Sequence, residues 1–198
     1  QSEEARSEQK YMLYDFSIRI ARTIYENWKD TKSMLLSPEQ MKDFMTRFHY
    51  SEVPYELKRR SLINRNVSGY YKFAHKSFLE FFLAQEYFHN PTSNFEFEGM
   101  DMARRFYEEM CISDFWDWQE NDYIKLVQVK NKKYGVEVCL EINLDIEVEY
   151  SHLADALYAM HIQLKSVRFP WNSYSDRLHH FLVKTQVPNV QVQCYYET

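Results

Sequence analysis

The chain has 198 residues and a formal charge of −5, with 45% apolar and 17% aromatic side chains. This composition supports a folded core and argues against wholesale disorder. Only three glycines occur, well below the usual share of about 7%, and this scarcity excludes most glycine-rich phosphate loops.

No apolar run approaches the roughly 20 residues that span a bilayer, and no secretory signal is visible. The three cysteines, Cys111, Cys139 and Cys194, form no C-x-x-C pair. An odd, sparse set of cysteines is typical of reduced thiols, so we expect a cytoplasmic protein without a disulfide framework. Because the chain begins with Gln1, we expect it to be a piece of something longer.

The first elements in the chain are helices. Apolar positions recur with helical spacing over residues 11–28, whereas residues 1–10 are polar and are expected to fray. Ser37, Pro38 and Gln40 then form a capping-box pattern with proline in the first helical position. The sequence therefore predicts a long first helix and a second helix that starts at Pro38.

A winged-helix arrangement is predicted from the elements that follow. A short helix is expected at 54–60, and two short strands at 61–63 and 70–73 are joined by turn residues. The pattern Ser77–Glu80 resembles a second capping box and opens a helix through about Phe88. That helix is apolar on most sides, so we expect it to be buried.

Charge changes along the chain. Residues 30–90 carry nine basic and seven acidic side chains, whereas residues 91–198 carry ten and seventeen. The change coincides with turn residues at 90–94, and a linking helix is predicted at 101–110. The predicted organisation is a domain at residues 1–90, a helical linker at 91–122 and a C-terminal segment at 123–198.

The C-terminal segment alternates strands and helices. Strict apolar–polar alternation predicts a strand over 136–148. The remaining patterns predict, in order, a helix at 153–160, a strand at 167–169, a helix at 178–182 and a strand at 190–192. With the winged-helix domain, this order gives an α+β protein.

The same segment contains a candidate repeat. Leu164, Val167, Phe169 and Asn172 fit the leucine-rich-repeat template L-x-x-L-x-L-x-x-N. Residues 135–143 and 187–195 fit it in part. These matches favour a short leucine-rich-repeat-like segment, in which Asn172 and Asn143 turn inward. A small open α/β domain is the alternative.

The segment Tyr70–Ala84 resembles the winged-helix signature of NACHT-type STAND ATPases, the family that includes the NOD-like receptors. Leu79 stands where that signature commonly has glutamine. The matching residues are Phe73, His75, Ser77, Phe78, Glu80, Phe81 and Ala84.

The resemblance implies a role for His75. In the family, the winged-helix histidine contacts the β-phosphate of bound ADP and helps to hold the receptor closed. A helix N-terminus also favours an anion. The alternative is a histidine that only packs against the helix or caps it.

The resemblance also implies what the rest of the protein contributes. No G-x-x-x-x-G-K-[ST] motif occurs, so this chain is expected to hold no cofactor and to catalyse no reaction, while ADP or ATP would bind to the parent protein. The implied function is the regulatory and sensing end of a signalling ATPase in innate immunity or defence. Its implied partners are the parent's nucleotide-binding domain, a protein ligand and, on activation, further copies of the parent.

If the repeats are real, residues that alternate with the strand leucines form a concave face suited to ligand binding. They are Glu137, Cys139, Glu141, Ser166, Arg168, Trp171, Asn189, Gln191 and Gln193. The alternative is ordinary solvent exposure.

Metal binding and DNA binding are the other functions on which the sequence has a bearing. His179 and His180 are adjacent and diverge on a helix, so no metal site is predicted. The basic run at 58–60 could touch DNA phosphates, which makes a winged-helix transcription regulator with an α/β effector domain the second hypothesis. The acidic balance of the chain argues against nucleic-acid binding.

Overall fold

The computed structural model of the protein describes residues 3–50, 62–90, 97–131, 135–143, 148–170 and 175–193. Over these residues the chain is a mixed α/β protein with helices and two small sheets, in agreement with the predicted α+β class. It divides into an N-terminal unit, Gln1–Phe106, and a C-terminal unit, Tyr107–Thr198. The helix expected at 54–60 lies outside the described residues.

The N-terminal unit begins with two helices. Helix α1 (Glu3–Thr31) starts earlier than expected, because residues 3–10 are helical rather than frayed. Helix α2 (Pro38–Arg47) has the predicted capping box: the Ser37 hydroxyl accepts from the Gln40 N–H at 3.2 Å, and the Gln40 side chain accepts from the Ser37 N–H at 2.8 Å. Local sequence therefore fixes the start of α2.

A two-stranded antiparallel sheet follows. Strands β1 (Ile63–Arg65) and β2 (Tyr71–Phe73) pair with Ile63 opposite Phe73. Leu36, in the α1–α2 connection, also bridges to Tyr71. Three chain segments therefore lie side by side, although the sequence predicted only two.

Helix α3 (Lys76–His89) packs on α1. The contacts include an ion pair between Arg22 and Glu86 and a hydrogen bond from the Tyr14 hydroxyl to Gln85 at 2.6 Å. Burial is confined to one side of α3, since Phe78 and Phe81 are each 37% exposed. The expectation that this helix is buried therefore holds for one side only, that of Leu79, Leu83 and Ala84.

Helix α4 (Asp101–Glu120) continues well past the predicted end at residue 110. The division between the two units falls within it, between Phe106 and Tyr107. That position lies inside the predicted linker, 91–122, rather than at its start near Asn90.

The C-terminal unit contains a four-stranded mixed sheet in the order β3-β4-β5-β6. The first pair is antiparallel, and the other two pairs are parallel with a helix in each connection. The elements are β3 (Ile124–Asn131), β4 (Gly135–Ile142), α5 (Tyr150–Ala159), β5 (Ser166–Pro170), α6 (Asp176–Thr185) and β6 (Asn189–Gln193).

The observed pairing agrees with the repeat alignment only in part. Val167 pairs with Val190, as the alignment requires. On the other side Val167 pairs with Leu140, two residues beyond the expected Val138. Strand β3 was not predicted at all.

Strand β4 is also shorter than the predicted strand at 136–148. It ends at Ile142, and residues 144–147 lie outside the described part. The Asn143 N–H donates to the Tyr123 carbonyl at 2.8 Å. Glu149, the residue after the predicted strand, caps α5, where its carboxylate accepts from the Ser151 N–H at 3.4 Å.

The core of this unit lies on one face of the sheet. Leu140, Val167 and Phe169 are buried on that face. The helices supply the apolar side chains of Leu153, Leu157, Leu178 and Phe181, which are also buried.

Candidate functional site

His75 caps helix α3 with its own ring. Its Nδ1 accepts from the Ser77 N–H at 3.1 Å and lies 2.7 Å from the Ser77 hydroxyl oxygen. The predicted cap at Ser77 is therefore wrong by two residues, because the His75 imidazole already satisfies the free N–H of Ser77. Of the two roles left open for His75, capping is present.

This cap determines which nitrogen of His75 carries the proton. An Nδ1 that accepts from a backbone N–H leaves the proton of a neutral ring on Nε2. The His75 side chain is exposed, so its Nε2–H is a donor on the surface of the N-terminal unit. Capping and donation to an anion are thus compatible.

The helix end itself has less to offer an anion than the sequence suggested. The Ser77 N–H bonds to His75 Nδ1, and the Phe78 N–H donates to the His75 carbonyl at 3.2 Å. Lys76 is also engaged: its ammonium donates to the Gly99 carbonyl at 2.8 Å and pairs with Glu80 at 3.3 Å. The imidazole Nε2–H is left as the main donor at this end.

Glu80 does not complete a capping box on its own helix. Its side chain is buried, and its carboxylate accepts from the Met102 N–H at 3.3 Å. Met102 is in the first turn of α4, where free N–H groups favour a negative charge. Glu80 therefore stabilises the start of α4 and also forms an ion pair with Lys76.

A pocket of about 310 Å³ lies between α1 and α2. Asn27, on its wall, already donates to the Ser33 and Leu35 carbonyls and accepts from Gln40. With those groups occupied, the hydrogen-bonding side chains left to a ligand are those of Thr23, Asp43 and Arg47. Its lining is completed by Thr23, Leu36, Asp43, Phe44, Arg47 and Phe48.

The C-terminal sheet has a polar face opposite its core. Strand register aligns Glu141, Arg168 and Gln191 in one row across three strands. The Arg168 guanidinium donates to the Glu141 carboxylate and to the Gln191 side-chain oxygen, at 2.9 Å each. These three predicted surface residues are therefore brought together and joined by hydrogen bonds.

A second row on this face joins Cys139, Ser166 and Asn189. Asn189 is exposed and Ser166 is half-buried, but Cys139 is only 1% exposed. Cys139 therefore cannot contribute to a ligand surface, and that prediction is wrong. Glu137 is half-buried at the edge of the same face.

The remaining predicted residues give a mixed result. Trp171 and Asn172 lie outside the described residues, as does the side chain of Gln193 at the end of β6. Asn143 is exposed, and its amide donates to the Asp122 carbonyl at 2.9 Å. It ties β4 to the start of β3 instead of turning into a repeat interior.

Sequence reasoning missed the residues that β3 adds to the polar face. Lys125 pairs with Glu141, and Val127 pairs with Cys139. The signal was present in the run of β-branched and alternating residues at 124–130 and in Gly135, which follows a turn-length gap.

A cluster of ionisable side chains links helices within the C-terminal unit. Asp155 accepts from the Tyr107 hydroxyl at 2.8 Å and from the Lys184 ammonium at 2.6 Å. His152 Nδ1 lies 3.1 Å from Asp114. Burial raises the pKa of the neighbouring Cys111 thiol to about 12, so this cysteine stays protonated at neutral pH and is a poor nucleophile.

The described residues contain neither a grouped set of metal ligands nor a membrane-spanning helix. Over the described ranges, no three His, Cys, Asp or Glu side chains are grouped as a metal ion would require. Likewise, none of the helices described contains a stretch with the length and apolarity needed to cross a membrane.

Comparison with known proteins does not place the chain in a family. No protein-family model, curated protein or solved structure matches it.

Proposed function

We propose that the chain is the regulatory and sensing region of a NACHT-type signalling ATPase. In this proposal the N-terminal unit is a winged-helix domain that restrains a nucleotide-binding domain elsewhere in the parent protein. The C-terminal unit either senses a protein ligand or keeps the parent monomeric until it is triggered. The chain itself carries out no catalysis.

The N-terminal unit supports this proposal through its order of elements. Helices α1 and α2 precede the β1–β2 hairpin, and α3 follows it directly. Leu36 joins the hairpin through Tyr71, so the wing is held against the helices. The residues of the family signature fall on β2, the α3 cap and the first turns of α3.

The observation that carries the proposal is the geometry of His75. Because Nδ1 is committed to the α3 cap, Nε2–H is available on an exposed ring at a helix N-terminus. A hydrogen bond from that group to a phosphate oxygen of ADP would link the nucleotide state of the parent to the position of this helix. His75 would supply one contact, and the other ligands would come from the nucleotide-binding domain.

Support for the sensing role comes from the sheet of the C-terminal unit. Strands β4, β5 and β6 are parallel and adjacent in chain order, with a helix in each connection, as repeats of one strand and one helix would be. The polar row of Glu141, Arg168 and Gln191 lies on the face opposite the helices. In the proposal this row is part of the ligand surface.

The experiment uses the complete parent protein and separates the two roles of His75. His75→Ser keeps a good cap residue but has no group long enough to replace Nε2–H, whereas His75→Leu removes both functions. We expect the affinity for ADP to fall by roughly ten- to a hundredfold in both variants, because a hydrogen bond to a charged group contributes about 1.5–3 kcal/mol. Both variants should therefore retain less ADP. Nucleotide content after purification is the measurement.

His89→Leu, at the opposite end of α3, is the matched control and should retain ADP. If the His75→Ser variant retains as much ADP as the unsubstituted parent protein, His75 acts only as a cap and the proposal loses its central contact. A parent sequence without a phosphate-binding loop upstream of Gln1 would contradict it independently.

A DNA-binding regulator is the second candidate, favoured by the charge of the wing. Arg65 and Lys72 are exposed on the two strands, and no acidic residue occurs between residues 62 and 79. Duplex DNA binding that weakens steeply with salt and is reduced by Lys72→Gln would favour this function. Binding that is absent at low salt would exclude it.

A further inference from the structure

The two edges of the C-terminal sheet differ in how they are protected. Strand β3, at one edge, contains the exposed Lys125, and lysine on an edge strand discourages pairing with another chain. Strand β6, at the other edge, reads Asn-Val-Gln-Val-Gln and has no charged residue or proline. Among the described strands, β6 pairs only with β5.

Strand β6 also exposes apolar side chains on the helix-covered side of the sheet. Val190 and Val192 pair with Val167 and Phe169, both buried on that side. Val190 and Val192 are nevertheless 45% and 44% exposed. A core that is completed over β5 is therefore left open over β6.

We propose that β6 pairs antiparallel with β6 of a second copy of this chain, about a twofold axis through Gln191. This inference does not depend on the role proposed for His75, and for the C-terminal unit it favours ligand sensing over a role in keeping the parent monomeric. In that register Val190 lies opposite Val192 of the partner, and Gln191 lies opposite its own copy. All five residues of the strand find a partner of the same kind, as a self-complementary interface requires.

Charge and geometry both fit a second copy. Residues 187–193 carry no charge, so antiparallel pairing brings no like charges together. A crossover helix lies over the two strands it joins, which puts the two α6 helices about two strand spacings, or roughly 10 Å, apart. Packed helices lie about 8–10 Å apart, so the two α6 helices can stand side by side over the strand pair without a clash.

The interface is small. One short strand pair and one helix pair bury less than the roughly 1,200 Å² of a standard stable interface. The dimer should therefore be weak and dependent on concentration, with a dissociation constant in the micromolar range.

Disulfide cross-linking tests the register on the full chain, with Cys194→Ser as background. Gln191→Cys places two thiols directly opposite each other, at a Cα separation of about 4.5–5.5 Å, within the range a disulfide tolerates. Asn189→Cys is the control, because its two copies would lie about 13 Å apart along the strands. We expect a covalent dimer from Gln191→Cys and none from Asn189→Cys.

Sedimentation equilibrium tests the interface without cross-linking. Val190→Lys should raise the dimer dissociation constant by about tenfold or more, because it places charge in an apolar strand pair. Val136→Lys, at a 58% exposed position on β4, should leave it unchanged. The proposal would be overturned if the unsubstituted chain stays monomeric at all concentrations. Equal cross-linking of the two cysteine variants would also overturn it.

Discussion

The indole ring of Trp28 lies directly against the backbone of Gly99. A Cβ on Gly99 would come within 2.4 Å of Cη2 of Trp28, a separation that no packed side chain accepts. The ring cannot easily move aside, because Tyr25 stacks on it at 5.7 Å and Lys32 lies 4.5 Å from its centre. The residue at 99 must therefore be glycine for steric reasons.

We expect Gly99→Ala to lower the free energy of unfolding by about 2–4 kcal/mol. The cost combines a positive φ of 68°, unfavourable for an L-residue, with an overpacked contact. Urea unfolding is the measurement. Gly69→Ala is the control: it shares a positive φ but meets its nearest neighbour, Pro38 Cγ, at 3.2 Å, and should cost about 1–2 kcal/mol. Equal losses would show that the Trp28 contact adds nothing.

Glu80 gives a second prediction within the N-terminal unit. Glu80→Leu removes the acceptor for the Met102 N–H and the partner of Lys76, so we expect a loss of about 1–3 kcal/mol. Glu80→Gln keeps an acceptor and should cost less. Faster hydrogen exchange at Met102 in the leucine variant is the specific readout, and Glu98→Leu, at an exposed position nearby, is the control. Unchanged exchange would contradict the role of Glu80 at the start of α4.

Local patterns predicted most of the elements, because the interactions that set them are local. The start of α2 depends only on Ser37 and Gln40, three residues apart, and could be read directly. The cap of α3 could not be predicted in this way. Ser77–Glu80 satisfies the same pattern, but the Ser77 N–H donates to the His75 ring and the Glu80 carboxylate accepts from Met102 of α4.

In the C-terminal sheet, the end of β4 and the burial of Cys139 could not be predicted from sequence alternation. Alternation continues past Ile142 in sequence, but the strand ends where Asn143 bonds to Tyr123 and Asp122, which are distant along the chain. The polar row was predicted because strand alternation fixes faces. The burial of Cys139 depends on neighbours in space and was missed.

Alkaline pH should destabilise the C-terminal unit through Cys111. Burial raises the pKa of this thiol from its ordinary value of about 9 to about 12. Between these values the unfolded chain loses a proton that the folded chain keeps, so stability falls as pH rises, by up to about 1.4 kcal/mol per pH unit. Between pH 8 and pH 10, the free energy of unfolding measured with urea should fall less for Cys111→Ala than for the unsubstituted chain. Equal falls would show that this thiol titrates alike in both states.

Arg168 and Glu141 should be coupled more strongly than a fully exposed ion pair. Their side chains are 33% and 25% exposed, whereas those of Arg177 and Glu149 are 59% and 41% exposed, and both pairs lie at 2.9 Å. Because the two distances are equal, the main difference between the pairs is the screening of their charges by solvent. Exposed ion pairs contribute about 0.2–1 kcal/mol. A double-mutant cycle with Arg168→Met and Glu141→Gln should therefore give a coupling energy of about 1–2 kcal/mol. The cycle with Arg177→Met and Glu149→Gln should give less, and it cancels the cost of removing the Glu149 cap. If the two coupling energies are equal, the polar row is a set of independent surface contacts and not a structured face.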